Sequence, residues 1–246
     1  MNNNTTFANR EVCDLIFVEY KSKKPFLNLD FANTTTTEMS GEAVYAYGGK
    51  GHPKRVTFHG DRGGTIAFET QMKTAKLYSL ITGASLETTA KFLKREVVKC
   101  ETAGKLTVSG TPVVGTVNVF KADDDCGVEI TATATGSSKE ITVTGATAND
   151  SYIVYYMTEL TEKVRKINIK STTFPKAFTV YGDTYEKTEN DEIVPYRMVA
   201  YKCYPQTNFS LSCANSGDPA TITITCDLMA DSDDNILDLI WQDEEE

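Results

Sequence analysis

The chain has 246 residues, 40% of them hydrophobic, and a formal charge of -9 at pH 7. That length is ample for a sizeable core, while the acidic balance argues against a general nucleic-acid binder, which carries a basic face. No apolar stretch approaches the roughly 20 residues of a membrane-crossing helix, and the N-terminus, MNNNTTFANREVCDLIF, lacks the basic and apolar regions of a secretory signal.

Residues 1–10 are polar, rich in Asn and Thr, and read as an arm that stays loose unless a partner holds it. Strands are predicted at 11–19, at 26–31 and around Glu42–Tyr47, ahead of a loop bent by Gly48, Gly49, Gly51 and Pro53. VTFH (56–59) and TIAFET (65–70) flank GDRGG, whose glycines predict a hairpin turn. Lys73–Thr82 is the one convincing helix. Ala75, Leu77, Leu80 and Ile81 follow an apolar stripe, and Gly83 stands where a left-handed C-cap belongs. Ser85–Lys91 reads as a further turn, and Lys91–Glu101 alternates like a strand, with a helix as the competing reading.

From Lys105 to Thr158 the texture changes. LTVSG, GTVNVFKA, VEITATA, KEITVTG and SYIVYYMT are short strand-like runs between turn-forming residues, and a β-meander, a small sandwich or a projecting arm all fit them. A second strand set opens with the basic stretch EKVRKINIKS (162–171) and continues at 177–185, 194–204, 209–213 and 221–226. In PATITITCD (219–227) the period of two sends Ile222 and Ile224 to one face and the threonines to the other, the mark of a half-buried strand. The tail NILDLIWQDEEE offers a docked segment through Ile236, Leu237, Leu239, Ile240 and Trp241. Charge is polarised: Lys21–Lys24 and Lys50–Arg55 are basic, whereas the last dozen residues are acidic, a pattern that reads as solvated charge first and as head-to-tail stacking of copies second.

No catalytic constellation emerges. His52 and His59 lie seven residues apart without HxxxH or HExxH spacing and read as turn or surface residues. GxSxG, GxGxxG and P-loop motifs are missing, and GGKGHPKR does not lead from a strand into a helix, where phosphate loops work. Asp123, Asp124 and Asp125 fail the EF-hand pattern because Val128 holds the position that requires glycine, so a hairpin tip is expected. Asp231, Asp233 and Asp234 read as a solvated helix N-terminus. The six cysteines form no CxxC pair; Cys100, Cys203 and Cys226 read as buried small hydrophobes, and free thiols in a reducing cytoplasm are expected. Tyr45, Tyr47, Tyr152, Tyr155, Tyr156, Tyr181, Tyr185, Tyr196, Tyr201 and Tyr204 fall in or beside strands, where tyrosine suits either core or subunit contact. No catalytic, cofactor-binding or metal-binding residue is nominated.

The order of these pieces resembles the tail tube (major tail) proteins of tailed bacteriophages. The likeness is carried by GGTIAFETQMKTAKLYSLITG (63–83), KINIKSTTFPKAFTVYGDTY (166–185), VPYRMVAYKCYPQTNFSLSCANSGDPATITITCDLMAD (194–231) and the closing ILDLIW. The resemblance implies a mainly β fold: a sandwich or barrel of two packed antiparallel sheets with one flanking helix. Residues 1–10 would be an arm, 11–104 and 159–246 a discontinuous core, and 105–158 an inserted β module, immunoglobulin-like in one reading. It also implies a non-enzymatic subunit of the virion tail, assembled in the host cytoplasm into stacked rings of six, whose lumen conducts DNA without specific binding during genome ejection. The implied partners are further copies of the chain and sheath, tape-measure and tail-terminator proteins. For stacking, the 1–10 arm, the 48–55 loop and the acidic terminus are the expected contacts. The alternatives are a capsid decoration or receptor-binding β-sandwich protein and, third, a hydrolase with unrecognised carboxylates.

Overall fold

The computed structural model describes residues 6–213, 215 and 217–242. In chain order the elements are β1 (Phe7–Ala8), β2 (Asp14–Glu19), β3 (Pro25–Leu29), and the long β4 (Thr34–Tyr47) and β5 (Lys54–Thr70). Helix α1 (Ala75–Thr82) follows, then β6 (Leu86–Glu87), β7 (Ala90–Lys99), β8 (Lys105–Thr107) and β9 (Asn118–Lys121). Next come β10 (Ala132–Ala134), β11 (Glu140–Val143), β12 (Ser151–Leu160) and β13 (Lys166–Ile167). β14 (Phe178–Thr188), β15 (Ile193–Pro205), β16 (Ile222–Met229) and β17 (Leu237–Trp241) complete the series. Among the described residues the fold is mainly β with antiparallel pairing and one α-helix, as the resemblance implies. The chain forms two compact units, residues 1–85 with 169–246 and residues 86–168.

The first unit is built on one sheet of order β3-β2-β14-β15-β16-β5-β4, with β1 on β14 and β17 on β15. β15 changes partner along its length: Tyr196–Ala200 pair with β17, whereas Lys202–Pro205 pair with β16. This lets the sheet fold over on itself. In a flat sheet β2 and β5 would be four strand spacings apart, roughly 19 Å. Instead Phe17 on β2 meets Phe68 on β5 edge-on, with ring centroids 5.2 Å apart. Both rings are fully buried among Leu15, Leu29, Ile66, Phe178, Val180 and Ile224. The result is an open sandwich, not a closed barrel: among the described residues β3 pairs only with β2, and β4 only with β5.

Helix α1 is set by its ends. Thr74 lies in the extended region and its hydroxyl accepts the Leu77 N–H, while Gly83 adopts φ 69° and donates to the Ser79 carbonyl. Leu77, Leu80 and Ile81 turn into the core, and a side chain at Gly83 would run into the Phe174 carbonyl. Ser85–Lys91 adds no helical turn; it passes through β6 into β7, and the strand reading of Lys91–Glu101 holds.

Two other expectations are corrected. GDRGG is not a turn: β5 runs through it without interruption, opposite β4, and the chain reverses at Gly48–Pro53. The glycines serve strand contact instead. A Cβ at Gly64 would collide with the Glu38 carbonyl, and the register slips by one residue between Gly41 and Ala43. Phe209–Cys213 forms no strand, because both edges of β16 are already taken by β15 and β5. Phe209 packs against the core as a side chain alone.

The second unit contains two three-stranded sheets, β7-β12-β9 and β10-β11-β8. Its core is Cys100, Leu106, Val119, Ile141, Val143, Tyr152, Val154 and Tyr156. The boundary expected at 105–158 widens to 86–168, because β7 pairs with β12 along all of Ala90–Lys99. The tip carrying Asp123–Asp125 is a hairpin end, with Val119 bridging back to Ile130.

Candidate assembly surfaces

The β4/β5 hairpin is buried only near its base. Ile66, Phe68 and Thr70 are buried near its base, but from 38 to 47 and from 54 to 62 every side chain except Tyr45 is exposed. At about 3.3 Å per residue, that free part extends roughly 30 Å. It carries Val44, Tyr47, Val56 and Phe58, each about half or more exposed. A two-stranded ribbon of this kind is marginally stable in water by itself.

The end of this hairpin is basic. Between Tyr47 and Phe58 the chain carries Lys50, Lys54 and Arg55 and no carboxylate. Two of the cations are held in place: the Arg55 Nε donates to the Gly48 carbonyl at 3.2 Å, and the Lys54 Nζ lies 3.6 Å from the centre of the Tyr45 ring. His52 occupies the turn with φ 47°, and His59 lies exposed on β5 opposite Ala43.

A second hairpin, β14/β15, ends with the opposite sign. Between Tyr185 and Ile193 the chain has Glu186, Glu189, Asp191 and Glu192 against Lys187 alone. The turn is shaped by Thr188, whose hydroxyl accepts the N–H groups of Asn190 and Glu192. Lys187 pairs with Asp191 at 2.6 Å, which holds the Asp191 carboxyl below its usual range, and Glu186 accepts the Trp241 indole N–H at 2.7 Å. Trp241 also stacks on Phe7 at 6.4 Å, so residues 7–8 are fastened to β14 as β1. Residues 1–5 of the expected arm and the acidic 243–246 lie outside the described residues.

The third surface is a pair of open edges. Strands β3, β2, β14, β15 and β17 form one layer of the sandwich, bounded by β3 on one side and β17 on the other. β3, β14 and β17 run in the same direction, since each step across the layer is antiparallel. Leu15, Val180 and Met198 face the core. The alternating residues Asp14, Asp183, Arg197 and Asp238 therefore face away from it.

The other residues singled out in the sequence are dispersed. Asp125 accepts Arg95 at 2.8 Å and Tyr155 at 2.9 Å, and Asp124 caps the tip through the Val128 N–H. Asp231 does not start a helix; it closes a turn between β16 and β17 by accepting from Asp233 and Asn235. Among the described residues no group of three or more His, Cys, Asp or Glu is arranged to hold a metal ion. All six cysteines are free. Cys100, Cys203 and Cys226 are fully buried, and burial pushes the Cys203 thiol up to about 12. The ten tyrosines all lie in strands; Tyr152 and Tyr156 are core, whereas Tyr47, Tyr181, Tyr185 and Tyr204 are exposed.

Residues 9–240 match the model of the YomU/Tube protein family. The chain belongs to that family. It is a structural family of the phage tube type, which assigns this member to the virion tail. No curated protein matches the YomU/Tube chain significantly. Among the described residues no helix is long and apolar enough to cross a membrane.

Proposed function

We propose that this YomU/Tube protein is a non-enzymatic tail tube subunit that assembles into stacked rings of six, with a lumen that conducts DNA during genome ejection. The observation that carries the reading is the β4/β5 hairpin, which exposes Val44, Val56 and Phe58 on a ribbon with no cover of its own. Such a ribbon is stabilised when another body buries it, and further copies of the same chain supply that body in a repeating, heterologous contact.

Ring closure uses the open edges. Cyclic symmetry preserves strand direction, so β17 of one copy meets β3 of the next in parallel, and the layer continues around the ring. This pairing removes edges that would otherwise invite aggregation. The layer's outward face, with Asp14, Asp183 and Asp238 beside Arg197, lines the lumen and gives a DNA backbone little to grip. Stacking uses the 48–55 loop, together with the arm at 1–10 and the acidic terminus. The 86–168 unit is an immunoglobulin-like module. Sheath, tape-measure and tail-terminator proteins are the neighbours in the finished tail, which is assembled in the host cytoplasm.

Negative-stain electron microscopy of the purified protein tests this reading. Rings or tubes with an axial channel are expected at high protein concentration. A protein that stays monomeric under all conditions overturns it.

A further inference from the structure

We propose that β7, in the second unit, pairs with β7 of a second copy of this chain, antiparallel and across a two-fold axis. β7 is an open edge. Along all of Ala90–Lys99 it is paired on one side by β12, and among the described residues no backbone hydrogen bond reaches its other side. Alternate residues therefore leave an N–H and a carbonyl unpaired along roughly 30 Å of strand. Lys94, Glu96 and Val98 lie opposite the core residues Tyr156, Val154 and Tyr152, so Leu93, Arg95 and Val97 stand on the outward face. Leu93 and Val97 are 58% and 59% exposed there, which leaves an apolar strip beside the unpaired backbone.

The occupant follows from the order of the side chains. FLKREVV (92–98) is self-complementary about Arg95: two apolar residues and a lysine precede it, a glutamate and two apolar residues follow. When Arg95 faces Arg95 of the second copy, Leu93 lies opposite Val97, Phe92 opposite Val98 and Lys94 opposite Glu96, and the two-fold axis makes each pair twice. Opposite residues share a face, so the outward faces of the two sheets stay on one side. A slip of two residues either way centres Lys94 on Lys94 or Glu96 on Glu96, and sets Leu93 or Val97 against Arg95. The central arginines are each held by Asp125 of their own chain at 2.8 Å. Lys91, which meets Lys99 at the ends, is paired with Glu159 at 3.6 Å. The contact closes on itself and joins two three-stranded sheets into one. Stacked rings that all point the same way contain no such axis. The pairing therefore holds subunits outside the tube wall, or links one wall to another, and it does not rest on the tube reading.

Sedimentation velocity of the full chain, at concentrations below those that give tubes, tests the pairing. The natural protein is expected to show a concentration-dependent monomer–dimer equilibrium. L93E sets a carboxylate against Val97, and V97K sets an ammonium against Leu93; each is expected to weaken dimerisation roughly tenfold. The L93E/V97K double variant, and a 1:1 mixture of the two single variants, are expected to recover it, because opposite charges then face each other. Recovery also shows that the variants fold. A natural protein without a dimer leaves the edge to an extended segment of some other protein and overturns the proposal. So does a single variant that dimerises like the natural protein, or a double variant that does not recover. Tubes lost in step with dimers in L93E also overturn it, since β7 then belongs to the polymer wall. Dimers without tubes in the natural protein overturn the tube reading and leave this pairing standing.

Discussion

The phenol of Tyr156, fully buried in the second unit, donates to the Glu96 carboxylate at 2.8 Å and accepts the Gly110 N–H at 2.9 Å. Ser109 donates to the same carboxylate from its N–H and its hydroxyl, and Lys94 pairs with it at 2.7 Å. One carboxylate thus ties the 109–110 loop to β7 and β12. Tyr156→Phe strands the Gly110 N–H and removes a donor from Glu96. A loss of about 1–3 kcal/mol in unfolding free energy is expected from urea denaturation of the second unit.

Burial opposes charge on Glu96, but the bonds from Lys94, Ser109 and Tyr156 outweigh it and hold the carboxyl at about 2, against 4.5 when unperturbed. A lowered folded value means stability that is fully present above 4.5 and is lost as pH falls toward 2. Thermal melts of the natural protein should therefore drop across that window. Glu96→Gln should start lower and show a shallower decline; an identical slope in both would exclude Glu96 as the source.

Phe17 is where the two layers meet, in ring contact with Phe68 and with Phe178 at 5.4 Å. Phe17→Ala opens a cavity that neither layer can fill, and a loss of about 3–5 kcal/mol is expected in chemical denaturation. The exposed Ile16 beside it is the control: Ile16→Ala should shift stability by no more than about 0.5 kcal/mol.

Gly83 combines a left-handed φ of 69° with a Cβ position blocked by the Phe174 carbonyl. Gly83→Ala should cost more than the about 1 kcal/mol of the backbone conformation alone, because the 174–175 segment must also move. Thr74→Ala at the other end of α1 should cost only about 1 kcal/mol. Equal melting temperatures for the two variants would contradict this ordering.

Phe58 separates folding from assembly. It is 59% exposed, so Phe58→Ser should leave the monomer's melting temperature nearly unchanged. In a self-covering ribbon the same substitution weakens polymer formation. Light scattering at matched concentration should show the fall, and unimpaired polymer would remove the hairpin's apolar face from the contact.

Much of this was legible in the residues. The helix, with its Gly83 cap, follows from a local stripe, and Pro219–Asp227 announces β16 by its period. What escaped is what neighbours decide. GDRGG carries every local sign of a turn, yet β4 holds it straight, and the choice lies in a strand some twenty residues away. Phe209–Cys213 alternates like a strand, but both edges of the following β16 are taken by β15 and β5. The basic loop at 48–55 was visible as a charge run. The acidic run at 186–192 is equally plain in the residues, but its place at a hairpin end is set by the pairing of β14 with β15.

Because β15 pairs with β17 over its first half and with β16 over its second, both walls of the sandwich hang from a single backbone. Force applied to one wall reaches the other through covalent bonds, and prising them apart means shearing hydrogen bonds together instead of peeling them singly. A subunit built this way resists the parting of its layers before any contact between subunits is counted.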